Sequence, residues 1–225
     1  MQLKVVSSVA RKELQLFFTS AIGYLFLAAF LFATLFTFFW VDTFFARNIA
    51  DVRPLFSGFP VTLIFLGAAL TMKMWSEEQR TGTIEFVATL PASTWEFVLG
   101  KFLACWALLA IALVLTLPLP LTVSWLGNLD WGPVWAGYLA ALLLGAAYLA
   151  VGLFVSSRTD SQIVSLIGAV LICGVFYLLG TATIANLFAS PIRELFASLG
   201  SGTRFESITK DCWMCEICTS MSPLR

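Results

Sequence analysis

Histidine is absent from this sequence, and charged residues are scarce. None of the 225 residues is His, and Asp, Glu, Lys and Arg make up 12% of the chain, against about 25% in an ordinary soluble domain. The lack of His removes the commonest general base and metal ligand, which disfavours hydrolytic and metal chemistry. The 13 basic and 13 acidic residues balance, so the chain lacks the clustered basic charge of a nucleic-acid-binding protein.

Apolar residues, in contrast, make up 60% of the chain. A soluble fold of this length could not bury so much apolar surface without leaving large exposed patches. The composition therefore indicates an integral membrane protein that is covered by lipid.

Five apolar runs approach or reach the length of about 20 residues that a helix needs to cross about 30 Å of hydrocarbon. We therefore predict an all-α integral membrane protein. Before the first run, Leu3 to Phe18 is amphipathic and predicts an interfacial helix on the membrane surface, although a plain basic anchor would have similar composition. The predicted spans run from about residue 21 to 41, 57 to 74, 102 to 125, 134 to 155 and 163 to 187.

Basic residues in the short loops predict the orientation, because Lys and Arg are retained on the cytoplasmic side. With the N-terminus in the cytoplasm, the early outer loops hold only Arg47 and Arg53. No charged residue lies in the middle of a predicted span, where ion-coupled carriers place ionisable groups. We therefore expect the energy for any transport to come from another chain. The basic residues on the inner side are Lys4, Arg11, Lys12, Lys73, Arg80, Lys101 and Arg158.

The segment between the second and third spans is the only densely charged part of the chain. Gly82 is expected to break the helix that leaves the membrane, and Thr83 to cap a new helix that reaches Leu90 and ends at Pro91. Its apolar positions predict a short helix lying parallel to the membrane on the cytoplasmic face. Such a helix could act as a lever on both adjoining spans, or it could be a solvated connector without a partner; the residues alone do not separate the two.

The same segment resembles the cytoplasmic loop of ABC-2-type permeases, in which a helix after the second span couples to the nucleotide-binding subunit. The similarity covers roughly residues 1 to 208. Within the family, the start of the chain resembles the gliding-motility and copper-processing branch, although Ala21 and Ala68 stand where that branch is expected to have Pro. The resemblance is carried by Glu78-x-Arg80-x-Gly82-Thr83-x-Glu85, Leu90-Pro91, Glu96, Gly100-Lys101, Arg11-Lys12-Glu13-Leu14, Phe18-Thr19-Ser20, Gly23-Tyr24 and Leu70-Thr71-Met72-Lys73.

The resemblance implies a half-size permease that exports a substrate and pairs with a second permease copy or a paralogue in a bacterial inner membrane. No phosphate-binding Gly-x-x-x-x-Gly-Lys-[Ser/Thr] motif occurs in the chain, so the ATPase, with its ATP and Mg²⁺, is expected to be a separate subunit, and this chain is not expected to be an enzyme or to hold a cofactor. The alternative is a non-transporting membrane scaffold or assembly factor that anchors a cytoplasmic partner. The residues expected to couple to the ATPase are Glu78, Arg80, Gly82, Thr83 and Glu85.

Residues 209 to 225 have a different character from the rest of the chain. Cys212, Cys215 and Cys218 have a C-x-x-C-x-x-C spacing that a metal site could use, but a fourth ligand and a supporting fold are lacking. If the codons from Lys210 onward are read from their third base, they give Leu-Leu-Asp-Val, which resembles the approach to the sixth span of the family. We therefore expect a frameshift here and five of six spans in this product.

Overall fold

The computed structural model describes residues 3–41, 52–83, 93–127, 129 and 131–179. Within those residues the chain forms α-helices and one π-helical turn and has no strand. The π-turn, Thr37–Val41, continues the second helix without a break. The α-helices are α1 (Leu3–Thr19), α2 (Ala21–Phe36), α3 (Arg53–Thr71), α4 (Ser76–Thr81), α5 (Thr94–Val114), α6 (Pro118–Leu126), α7 (Trp131–Ser156) and α8 (Gln162–Leu179).

Five helical segments in this part of the chain are long and apolar enough to cross a membrane. This confirms the prediction of an all-α integral membrane protein. The second segment begins at residue 53 rather than 57, because Pro54 lies in the first helical turn, where a missing N–H does no harm. Residues 180 to 187 of the predicted fifth span and the tail from residue 209, where the frameshift is expected, lie outside the described residues. The five segments are Gly23–Val41, Arg53–Thr81, Thr94–Leu126, Trp131–Ser156 and Gln162–Leu179.

The central helix of the bundle is α3, which packs against α2, α7 and α8. About two-thirds of its apolar stretch is buried, whereas α2 and α8 are mostly exposed, as expected for helices that face lipid. Near one end of the bundle, the Phe56 and Phe59 rings lie 5.5 and 5.9 Å from the Tyr138 ring. The Tyr138 hydroxyl lies 2.9 Å from the hydroxyl of Thr116, which follows the end of α5. One aromatic and polar cluster therefore joins α3, α7 and the turn after α5.

The third span is interrupted between α5 and α6. Residues 115 to 117 form a turn in which the Thr116 and Leu117 N–H groups each donate to the carbonyl three residues earlier, both at 3.0 Å. Pro118 then begins α6. The third span is therefore two helices separated by a short break, since a proline removes a backbone donor and clashes with the preceding turn.

The N-terminal helix α1 packs along α5. Its buried side carries Val6 and Glu13, and a Cβ on Gly100 of α5 would lie only 2.8 Å from Val9. The predicted amphipathic helix is confirmed, and its apolar side covers another helix of the chain. Its location at the membrane surface stays a prediction.

Candidate functional site

Lys101 lies almost fully buried, at 2% exposure, where α1, α4 and α5 meet. Its ammonium donates to the Met74 carbonyl at 2.6 Å and to Glu78 Oε1 at 2.7 Å. Glu13 Oε1 lies 3.5 Å from the same Nζ, and the ammonium sits 4.8 Å from the centroid of the Trp75 ring. We call Glu13, Glu78 and Lys101 the Lys101 cluster. Its groups occupy positions 13, 78 and 101, so it ties together three separate parts of the chain.

Burying an ammonium is costly unless it is paired and hydrogen-bonded. The Lys101 ammonium meets that condition, because it contacts the Met74 carbonyl, the carboxylates of Glu13 and Glu78 and the face of the Trp75 ring. Once such a group is buried, removing any partner leaves an uncompensated charge or an unpaired oxygen. The cluster therefore holds α4 and α1 against α5 in one defined arrangement.

The backbone around the cluster explains how the sequence brings it together. Helix α5 begins after Ser93, whose N–H donates to the Glu96 carboxylate at 3.3 Å. This cap fixes where α5 begins and therefore the position of Lys101 along the helix. Residues 72 to 75 form a turn between α3 and α4, which presents the Met74 carbonyl to Lys101.

A second anchor attaches α4 to the end of α7. The Ser156 hydroxyl accepts hydrogen bonds from the backbone N–H groups of Trp75 at 3.2 Å and Ser76 at 3.3 Å. The Gln79 side chain donates from Nε2 to the Ser157 carbonyl at 2.8 Å. The first N–H groups of a helix have no partner within it, so Ser156 caps α4 from a different helix.

Ser156→Ala is expected to destabilise the protein by about 1 kcal/mol, because it removes the cap from one buried and one partly buried N–H group. Ser157→Ala is the matched control: the Ser157 hydroxyl donates only to the nearby Phe154 carbonyl, at 2.7 Å, and the substitution keeps the carbonyl that Gln79 uses. Detergent-solubilised thermal unfolding compares the two variants. Equal melting temperatures would show that the Ser156 contact contributes nothing to stability.

Gly82 ends α4 in the left-handed backbone region, at φ 70°, and its N–H donates to the Gln79 carbonyl at 3.2 Å. The expectation that Gly82 breaks this helix is confirmed. The side chains of Glu77 and Arg80 and the end of α4 are exposed. The Thr83 hydroxyl lies 3.0 Å from that of Thr81, so Thr83 stays in contact with the last turn of α4.

The five residues expected to couple to an ATPase occupy three different settings. Arg80, Gly82 and Thr83 are exposed and adjacent, at the free end of α4. Glu78 points inward, where Oε1 accepts from Lys101. Glu85 and the predicted helix from Thr83 to Leu90 lie outside the described residues, apart from Thr83 itself.

Sequence reasoning did not identify Lys101, Glu13 or Ser156 as parts of one site. In the sequence, Lys101 stands out only as part of the loop that resembles the family and as a basic residue near a span. The available signal was a lysine inside an apolar run together with two carboxylates in flanking amphipathic segments, since a buried lysine needs such partners.

The five segments that are long and apolar enough to cross a membrane define a polytopic membrane protein. The model of the ABC-2 family of transporter proteins matches residues 7–199. The chain therefore belongs to the ABC-2 family, as a membrane-embedded permease component of an ABC transporter. No curated protein and no solved structure matches it. The assignment to the gliding-motility and copper-processing branch stays a prediction.

Proposed function

We propose that this permease couples ATP hydrolysis by a separate ATPase subunit to export, and that the ATPase acts on the segment that follows α4. The observation that carries the proposal is the double anchoring of α4. It continues from α3 through a four-residue turn, is held to α5 and α1 by the Lys101 cluster, and is capped by Ser156 of α7.

Anchoring of this kind makes α4 a mechanical junction. Packed helices move as rigid bodies that slide or rotate by small amounts, because their interiors are close-packed. A displacement applied at Gly82 would reach α3 through the backbone, α5 and α1 through Lys101, and α7 through Ser156. A connector that only joined two spans would need no buried ion pair and no cap supplied by a distant helix.

The side chains of the loop differ in exposure, and we propose that they differ in role accordingly. Arg80 and Thr83 are exposed and can reach a partner, and we propose that they and Glu85 make the docking contacts. Gly82 supplies the left-handed turn that directs the chain toward those contacts. Glu78 is engaged by Lys101, so we propose that it transmits the motion inside the protein.

The assembly that follows has two permease chains, this one and a second copy or a paralogue, with ATPase subunits that bind ATP and Mg²⁺. We propose a bacterial inner membrane location with the N-terminus in the cytoplasm. The bias of Lys and Arg toward one set of loops supports that orientation. The exposed end of α4 would then face the cytoplasm, where a soluble ATPase can reach it.

Co-purification with the cognate ATPase tests this function. Glu85→Lys reverses a charge of the proposed docking segment and is expected to reduce the recovered ATPase at least severalfold, because close like-charge contacts at an interface cost several kcal/mol. Asp160→Lys is the control, since Asp160 is an exposed acid in the turn between α7 and α8. If both variants retain the ATPase like the wild type, Glu85 is not at the docking surface. If the wild-type permease retains the ATPase but does not change its rate of ATP hydrolysis, the chain is instead a scaffold that only anchors its partner.

A further inference from the structure

Two adjoining cavities lie beside the Lys101 cluster and share a boundary formed by α1, the turn after α3 and the start of α4. Their volumes are about 290 and 570 Å³. The smaller lies between α1, α2 and the end of α3, and the larger extends from it toward α4 and α5. The residues common to both are Glu13, Leu16, Lys73, Met74 and Glu77.

Beyond the residues they share, the two cavities of this combined groove differ in their lining. To the shared charged groups, the smaller cavity adds a mostly apolar wall that includes Phe17 of α1, Phe26 of α2 and Leu70 of α3. The larger cavity is lined by charged groups and by the Ser8, Thr81 and Thr83 hydroxyls. An occupant that fits both ends must carry a hydrocarbon part and a polar head.

The charges that line the larger cavity sum to zero, from three lysines and three glutamates. Lys101 is engaged by Glu13 and Glu78. Of the remaining charges, Lys73 is half-buried, and among the described residues neither it nor Glu77 forms an ion pair within 4 Å. The third, Lys12, keeps 65% of its side chain exposed, and its Nζ lies 3.9 Å from Glu13 Oε1. The six groups are Lys12, Lys73, Lys101, Glu13, Glu77 and Glu78.

We propose that this groove binds one phospholipid with a zwitterionic, primary-ammonium headgroup, of the phosphatidylethanolamine type. Lys73, assisted by Lys12, holds the phosphate, and Glu77 accepts from the headgroup ammonium. The acyl chains lie along Phe17, Phe26 and Leu70. A net-neutral lining with one unpaired cation and one unpaired anion complements a headgroup that carries both signs, whereas an anionic headgroup would leave Glu77 facing like charge.

Bound there, the lipid would fill the space between α1 and α3 and reach Glu13, the α1 member of the Lys101 cluster. It would therefore stabilise the attachment of α1 to the rest of the bundle. This inference is independent of the ATPase, because every contact it uses lies within the permease and the bilayer.

Lipid-dependent thermal unfolding of the full chain in a neutral detergent tests the proposal. Phosphatidylethanolamine, phosphatidylcholine and phosphatidylglycerol are added to the micelles at equal mole fractions. Phosphatidylethanolamine is expected to raise the melting temperature most. Lys73→Gln is expected to raise the mole fraction of phosphatidylethanolamine needed for half-saturation about tenfold, because it removes one charge-assisted hydrogen bond to the phosphate.

Three variants and one soluble compound complete the test. Lys73→Arg should bind within about twofold of the wild type, since it keeps the charge, and Lys4→Gln, an exposed lysine on α1 that lines neither cavity, should be unchanged. Glu77→Gln should abolish the preference for phosphatidylethanolamine over phosphatidylcholine. Equal stabilisation by phosphatidylglycerol, equal stabilisation by free phosphoethanolamine, or a melting temperature indifferent to every lipid would overturn the proposal.

Discussion

Lys101→Met is expected to destabilise the protein by about 3–5 kcal/mol, the usual loss when one partner of a buried ion pair is removed. Methionine keeps most of the apolar stem, so the effect isolates the ammonium. Without it, Glu78 Oε1 and the Met74 carbonyl lose a donor, and two carboxylates are left in a largely buried site. The free energy of unfolding, measured by titration with SDS in mixed micelles, gives the size of the loss.

The matched control is Lys4→Met, which removes an exposed lysine from α1 and is expected to change the unfolding free energy by less than about 0.5 kcal/mol. The double variant Lys101→Met, Glu78→Gln should recover part of the loss, because the closer of the two carboxylates is then neutral. If Lys101→Met is as stable as Lys4→Met, the Lys101 cluster does not hold α4 in place.

The second large effect is expected at Gly82, in the ATP turnover of the assembled complex. A Cβ at Gly82 would meet nothing within 4 Å, so substitutions there act through the backbone alone. At φ 70°, Asn is tolerated, Ala costs about 1–2 kcal/mol, and Pro cannot be accommodated. We expect turnover coupled to the permease to be close to normal in Gly82→Asn, reduced in Gly82→Ala and lost in Gly82→Pro.

Gly174→Ala serves as the control for this series. A Cβ at Gly174 also meets nothing within 4 Å, but the residue lies inside α8, where Ala is favourable. Its complex should turn over ATP like the wild type. Should Gly82→Pro do the same, the left-handed turn at the end of α4 would have no part in coupling.

Much of the architecture was predictable from the sequence, because it depends on local or strongly periodic features. Apolar runs indicate spans wherever the helix has to match the bilayer. Gly82 and Ser93 mark helix ends, since backbone conformation and capping chemistry act over a few neighbouring residues. Pro118 and Pro120 of the third span likewise indicate an interruption, because proline disrupts helix hydrogen bonding, but they do not specify the three-residue turn that the chain forms there.

The site itself was only half predictable. Arg80, Gly82 and Thr83 are neighbours in sequence and remain neighbours in space. Pairing Glu13 and Glu78 with Lys101 requires the relative placement of α1, α4 and α5. The hydrophobic periodicity of the sequence does not specify how these helices pack together. The cap that Ser156 gives to α4 comes from 80 residues away, and a serine at a helix end ordinarily indicates a local contact instead.

The central claim is that the ATPase acts on the segment after α4. A photoreactive amino acid placed at position 85 tests it most directly, in cells that produce the permease with its ATPase. We predict an ATPase crosslink from position 85 and none from position 125, where the exposed Trp125 lies on α6 at the far end of the third span. A crosslink from position 125 but not from position 85 would contradict the account.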